Sequence, residues 1–376
     1  MKIKLCTILI TLSFTSFAFS STPIKSLSLS SNGKQVISIN QSKQASLWNL
    51  SNKSHKTISR NANIYSAYFI KNSPFYAYQN DGDLDLLIQQ PNKKDSKIVR
   101  LSAPIYSLAI STNLNNIFYS DEAWNIFKTS ATSTTKLKDG FNRDNMWANG
   151  TTLRLTLSPN GKELLSYGFS RPEFDKLQLN QGTNTFAAKL TTNKKLTKSL
   201  LDGVTLWNAQ SNKPIAKLSG NINKTISRFS PDQKYVVSGD ELGYLQVCKL
   251  KNQQCTLSHK TSMLSPKNFP KECRGDFSAA AISSINFLSN NYFIKTVDGH
   301  NIAFLYKLPS NAPIKCFLLK PSSNTQLESS NVIDSSAQTH ILVLGKKHTD
   351  GIIAYKFDPK KLTLKETWSA GSFHGS

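Results

Sequence analysis

"ISRFSPDQKYVVSGDELGYLQVCKL", residues 226–250, decides the fold. Two runs rich in β-branched and aromatic residues flank Ser230-Pro231-Asp232-Gln233-Lys234, and a third run follows a second break after Asp240. Proline sets φ at about −65° and Asp-Gln tolerates a tight reversal, so the first break joins two antiparallel strands. The same cassette recurs in residues 24–50, "IKSLSLSSNGKQVISINQSKQASLWNL", and 153–168, "LRLTLSPNGKELLSYG", each with a turn of the type Ser-(Ser/Pro)-Asn-Gly-Lys. Elsewhere, short runs of Val, Ile, Leu, Tyr and Phe alternate with Asn, Ser, Gly, Asp and Pro, and no long 3.6-residue apolar pattern follows residue 20. The expectation is an all-β chain.

The cassette resembles the WD40-like β-propeller family, whose blades of about 40–45 residues have four antiparallel strands. "LSGNINKTISRFSPDQKYVVSGDELGYLQVCKL" matches almost a whole blade, "VTLWNAQSNKPIAKLSG" the end of the preceding one, and "ASLWNL" the end of a third strand. Trp48-Asn49 and Trp207-Asn208 stand where the family has Trp-Asp. In the best-matching blade the Gly-His signature is Gly220-Asn221, the turn Asp is Leu242 and the Trp is Cys248, so the family's buried Asp-His-Ser/Thr-Trp network is not encoded there. The resemblance implies a single propeller over residues 21–376. Spacing divides it into seven blades at about 23–59, 60–102, 103–140, 141–220, 221–260, 278–320 and 321–376, with insertions at about 169–201 and 261–277. The same spacing admits two smaller propellers or an eight-bladed ring, and no strand exchanged between the chain ends is legible.

Residues 1–20, "MKIKLCTILITLSFTSFAFS", combine Lys2 and Lys4, an apolar run and small residues at the end, the pattern of a secretory signal peptide. The run is short for a spanning helix, which needs about twenty apolar residues. A composition rich in Lys, Asn, Ser and Ile fits an AT-rich bacterial genome, and the expected address is periplasmic or secreted. In an oxidising compartment the four remaining cysteines read as disulfides. "VCKLKNQQCTL" places Cys248 opposite Cys255 across a hairpin, at a Cβ separation of about 4.5–5.5 Å that suits a bridge. Cys273 is left to pair with Cys316.

The chain has 46 Lys plus Arg against 23 Asp plus Glu, and only seven of the basic residues are Arg. Lysine is a hydrated point charge, whereas bidentate reading of bases and phosphates favours arginine, which argues against sequence-specific nucleic-acid binding. The insertion stretch "NTFAAKLTTNKKLTKSLL", residues 184–201, contains Lys189, Lys194, Lys195 and Lys198 and no acid, and is the predicted contact surface for an acidic protein, anionic lipid or polysaccharide.

The six histidines show no metal-ligand spacing, no Cys-x-x-Cys occurs, and neither a nucleophile elbow nor a P-loop is present. The reading is therefore a noncatalytic propeller that presents loops to a protein partner, without cofactor, metal or catalytic residues. The alternatives are a lactonase-like or dehydrogenase-like enzyme acting on a small molecule at the central channel, with Asp240, Glu241, Asp298 and His300 as candidates, and a polysaccharide-binding lectin. The aromatic runs 65–70 and 75–78 read mainly as packing at strand period.

Overall fold

A computed structural model describes residues 24–58, 64–91, 93, 95–121, 125–130, 133–138, 153–168, 204–218, 224–240, 243–251, 254–257, 270–273, 281–298, 300–310, 312–319, 332–345 and 351–370. They form seven antiparallel sheets, each of four consecutive strands. Blade one is β1 (Ile24–Leu29), β2 (Gln35–Asn40), β3 (Ala45–Asn49) and β4 (Ser54–Thr57). Blade two is β5 (Ile64–Phe69), β6 (Tyr76–Asn80), β7 (Asp85–Gln89) and β8 (Ser96–Arg100). Blade three is β9 (Ser107–Ile110), β10 (Ile117–Ser120), β11 (Ile126–Thr129) and β12 (Thr134–Lys138). Blade four is β13 (Arg154–Leu157), β14 (Glu163–Tyr167), β15 (Val204–Asn208) and β16 (Pro214–Leu218). Blade five is β17 (Lys224–Phe229), β18 (Tyr235–Asp240), β19 (Leu245–Lys249) and β20 (Gln254–Leu257). Blade six is β21 (Ile282–Phe287), β22 (Tyr292–Val297), β23 (Ile302–Lys307) and β24 (Pro313–Leu318). Blade seven is β25 (Val332–Ser336), β26 (Ile341–Gly345), β27 (Ile352–Asp358) and β28 (Thr363–Ala370).

The cassette serine is what makes the first hairpin of a blade. Ser30 Oγ donates to Asn32 Oδ1 at 2.8 Å and accepts from the Gln35 amide at 2.9 Å. Ser158 repeats this with Asn160 and Glu163, and Ser230 with Asp232 and Tyr235. Blade three builds the same turn from Ser111, Asn113 and Asn116, although its sequence, "STNLN", lacks the glycine. Leu114 takes the left-handed φ of 62° that Gly33 and Gly161 adopt at this position without a side chain to strain.

Seven hydrophobic clusters lie one per interface between neighbouring blades, so each sheet is buried on both faces. First strands pack on first strands between blades one and two and from blade three round to blade seven, and β25 packs on β1, which closes the ring. Among the described residues every sheet is sequential and no strand is exchanged. Side chains fasten the seam instead. Trp48 and Trp368 meet edge-on at 6.2 Å, and Asp334 accepts from the Leu29 amide at 2.8 Å and from Lys71 at 3.1 Å, linking blades seven, one and two.

Where the sequence places Trp48 and Trp207, the indole Nε1 donates to Ser38 at 2.7 Å and to Ser166 at 2.8 Å. Register puts Cys248 and Tyr306 at the equivalent sites of blades five and six. Cys248 is fully buried and disulfide-bonded, and Cys255 lies directly across from it on β20. A second disulfide joins Cys273, in a single 3-10 turn (Lys271–Cys273), to Cys316 on β24, with Cα atoms 5.3 Å apart.

Strand direction divides the connections between two rims. The turns joining first to second and third to fourth strands form a hairpin rim. Contacts between blades there are direct: Ser31 Oγ accepts from the Asn72 amide at 2.6 Å, Thr112 Oγ1 donates to Lys71 O at 3.2 Å, and Ser336 Oγ donates to Ser31 O. The turns joining second to third strands and all connections between blades leave from the opposite, loop rim. Segments 139–153, 168–203, 258–281 and 319–331 therefore all start and end at that rim.

Candidate functional site

Four inner strands carry a one-residue bulge at the same place, at Lys25, Tyr65, Thr225 and Ser283, where each strand enters from the loop rim. A bulge re-aims a side chain that regular alternation would send into the next sheet. The buried residue before the bulge, Ile24, Ile64 or Ile282, keeps the core contact. At this end of the channel Lys25, Tyr65, Tyr106 and Arg154 are exposed. Lys25 Nζ stands 5.7 Å from the Tyr65 ring centre, a cation–π distance, and Arg154 donates to Thr225 O at 2.8 Å. Thr225 and Ser283 are turned inward: Thr225 Oγ1 donates to Ile282 O at 2.7 Å, and Ser283 shares a 2.8 Å hydrogen bond with Thr296. The mouth thus presents two cations and two tyrosines from blades one to four. Sequence reading assigned Tyr65 to packing. Its bulge could be foreseen only from the pairing register, which the sequence leaves implicit. Phe69 of the same run and Tyr76 of the run 75–78 do pack.

Beneath the rim, between blades five and six, lies a buried charged pair. Lys295 is 1 % exposed, with its ammonium 5.1 Å from the Phe304 ring centre and 5.6 Å from that of Tyr306. It takes the strand position that Ser38 and Ser166 occupy in blades one and four. Burial lowers its pKa to about 7, against the upward pull of the Asp240 carboxylate. Asp240 is fully buried at the end of β18 and accepts from the Tyr244 amide at 2.8 Å. The charge of Asp240 adds to burial in raising the Tyr244 pKa.

The candidate enzyme residues therefore do not form one exposed set. Asp240 is closed off from solvent, Asp298 is exposed on the turn after β22, and His300 is half-buried on that same turn. Glu241 and the predicted contact residues Lys189, Lys194, Lys195 and Lys198 lie outside the described residues. Among the described residues no three His, Cys, Asp or Glu side chains group as a metal site. Two open concavities among the described residues lie near the outer edges of blades, one lined by Lys356, Lys361 and Lys365 and one by Lys97, Arg100 and Ser130.

No protein-family profile matches the chain, and no curated protein matches it. Among solved structures it is similar to Hsv2 of Kluyveromyces lactis over 93 % of its own length and 99 % of that chain, with a TM-score of 0.58 and 13 % identity. It is also similar to the β-propeller domain of Myceliophteria thermophila Cps50 (Swd1), over 90 % and 97 % of the two chains, with a TM-score of 0.61 and 11 % identity. At such identities the likeness is one of fold: the described residues form a β-propeller of seven four-stranded blades.

Proposed function

We propose that this WD40-like propeller is an exported, noncatalytic scaffold that holds a protein partner at its loop rim. The observation that carries this reading is the concentration of all long connections on one rim, around a channel mouth where Lys25, Tyr65, Tyr106 and Arg154 are exposed. Loops projecting from a rigid scaffold are the usual carriers of recognition. Tyrosine supplies rigid contact area at low entropic cost, and the two cations favour an acidic segment of the partner. The stretch with Lys189, Lys194, Lys195 and Lys198 falls in sequence between β14 and β15, which meet this rim, and our reading assigns it to the same basic contact. Export rests on the signal-like residues 1–20, and the Cys273–Cys316 bridge supports an oxidising compartment.

The test is affinity capture from the envelope fraction of the producing cells. A Lys25→Glu/Arg154→Glu variant, and a second with the four insertion lysines changed to Gln, are compared with the parent protein at low and high salt. Loss of one defined partner at unchanged melting temperature supports the reading, and undiminished capture by both variants refutes it. A Asp298→Asn/His300→Gln variant separates the classes: a scaffold keeps its partner, whereas an enzyme at the channel loses turnover.

A further inference from the structure

The basic excess of the chain is distributed unevenly over the propeller. The loop-rim connections contain sixteen Lys and Arg and fifteen Asp and Glu, a near balance. The fourteen hairpin-rim turns contain eleven lysines, no arginine and two aspartates. The outermost strands add eight basic residues against Glu366 alone. Composition bias alone would give the two rims similar ratios of acid to base, whereas the acids of the connections fall fifteen to two in favour of the loop rim.

The hairpin-rim lysines come from blades one, two, four, five and seven, so they ring the face rather than line a groove. All ten that are described are exposed. Lys34, Lys162 and Lys234 recur at the last position of the cassette turn, a place that the serine-bonded turn holds rigidly outward. Lys71 and Lys234 have carboxylate partners, Asp334 at 3.1 Å and Asp232 at 3.3 Å. Lys34, Lys162, Lys213 and Lys251 have no carboxylate within ion-pair distance among the described residues.

We infer that the hairpin rim is a docking face for an anionic lipid surface. A ring of point charges on short, rigid turns meets a plane of headgroups without needing register, and lysines gain from the negative potential of such a surface within a Debye length. A nucleic-acid seat calls for arginine forks or stacking aromatics, and Phe75, half-buried, is the one aromatic residue in these turns. The loop rim, on the opposite face, then stays turned away from the lipid and open to a protein partner.

The test uses the full mature chain and sedimentation with vesicles of phosphatidylcholine alone or mixed with phosphatidylglycerol. A face variant carries Lys34→Gln, Lys162→Gln, Lys213→Gln and Lys251→Gln. A perimeter variant removes the same charge through Lys56→Gln, Lys97→Gln, Lys136→Gln and Lys315→Gln, and a third variant changes the four face lysines to Arg. The parent protein is expected to bind only the anionic vesicles. The face variant should lose on the order of 100-fold in partitioning, while the Arg variant keeps it and the perimeter variant stays within about threefold. Equal loss in the face and perimeter variants would mean diffuse charge attraction and would overturn the inference, as would failure of the parent to bind. So would duplex DNA that displaces the vesicles at equal phosphate concentration and depends on the same four lysines, since the seat would then belong to a polyanionic chain.

Discussion

At the hairpin rim, the segments 30–34, 158–162 and 230–234 are the same turn made three times, each held by one serine hydroxyl, while at the loop rim the corresponding connections range from 41–44 to 168–203. The first rim is fixed by local chemistry that every blade can repeat. The second is fixed at particular places, by the Cys273–Cys316 bridge and by packing around Lys295 and Asp240. Such a division fits the proposed scaffold: repetition where rigidity suffices, and singular devices where connections have diverged in length, as loops that carry recognition usually do.

If that contrast is right, the largest single loss should come from the loop-rim staple. Replacing Cys273 and Cys316 with Ser, which opens a bridge spanning a sequence separation of 43 residues, should lower stability by about 4 kcal/mol in denaturant titration. A loss smaller than that of any hairpin-rim substitution would break the comparison.

Lys295 comes next and carries a pH signature. Its folded pKa of about 7 lies below the unfolded value, so the unfolded chain binds the extra proton between pH 7 and about 10. Stability should therefore rise over that window, by about 2–3 kcal/mol allowing for relaxation around the buried charge. Above pH 10 the trend reverses, because burial raises Tyr68 and Tyr306 and pushes Tyr76 up to about 12, and the unfolded tyrosines then lose protons first. Lys295→Met should flatten the rise below pH 10 in melts recorded across this range.

On the hairpin rim, Gly33 has φ of 66°, and a Cβ there would sit 2.3 Å from Thr339 Oγ1 of blade seven. Gly33→Ala should cost about 2 kcal/mol, part of it recovered by adding Thr339→Ala. The smallest effect belongs to the exposed ion pairs of the other side. Arg100 contacts Asp85 at 2.9 Å with its side chain 65 % exposed, and Arg100→Gln should change the unfolding free energy by under about 1 kcal/mol. A large change would mean that ion pairs, rather than the disulfide, hold the loop rim.

The repeated devices were the legible ones. Ser-x-Asn-Gly-Lys and Trp-Asn are local signals, and Cys248 against Cys255 follows from counting across one hairpin. Blade three was delimited by spacing alone because Leu114 accepts a backbone conformation normally left to glycine. The singular features depended on partners distant in sequence. Asp240 reads as an ordinary turn residue until blade six covers it, and Lys295 reads as a solvated strand lysine until Phe304 and Tyr306 enclose it. The segregation of charge was invisible for a simpler reason: a lysine in a turn has no assigned face until strand order says to which rim that turn belongs.

The difference between the rims is tested most directly by where a partner touches. A photo-crosslinking amino acid is placed at Tyr106, exposed at the loop-rim mouth, or at Asn160, exposed in a hairpin-rim turn, and each protein is irradiated in the cells that produce it. A discrete protein adduct from position 106 and none from position 160 is the predicted result. A discrete protein adduct from position 160, with none from position 106, would contradict it.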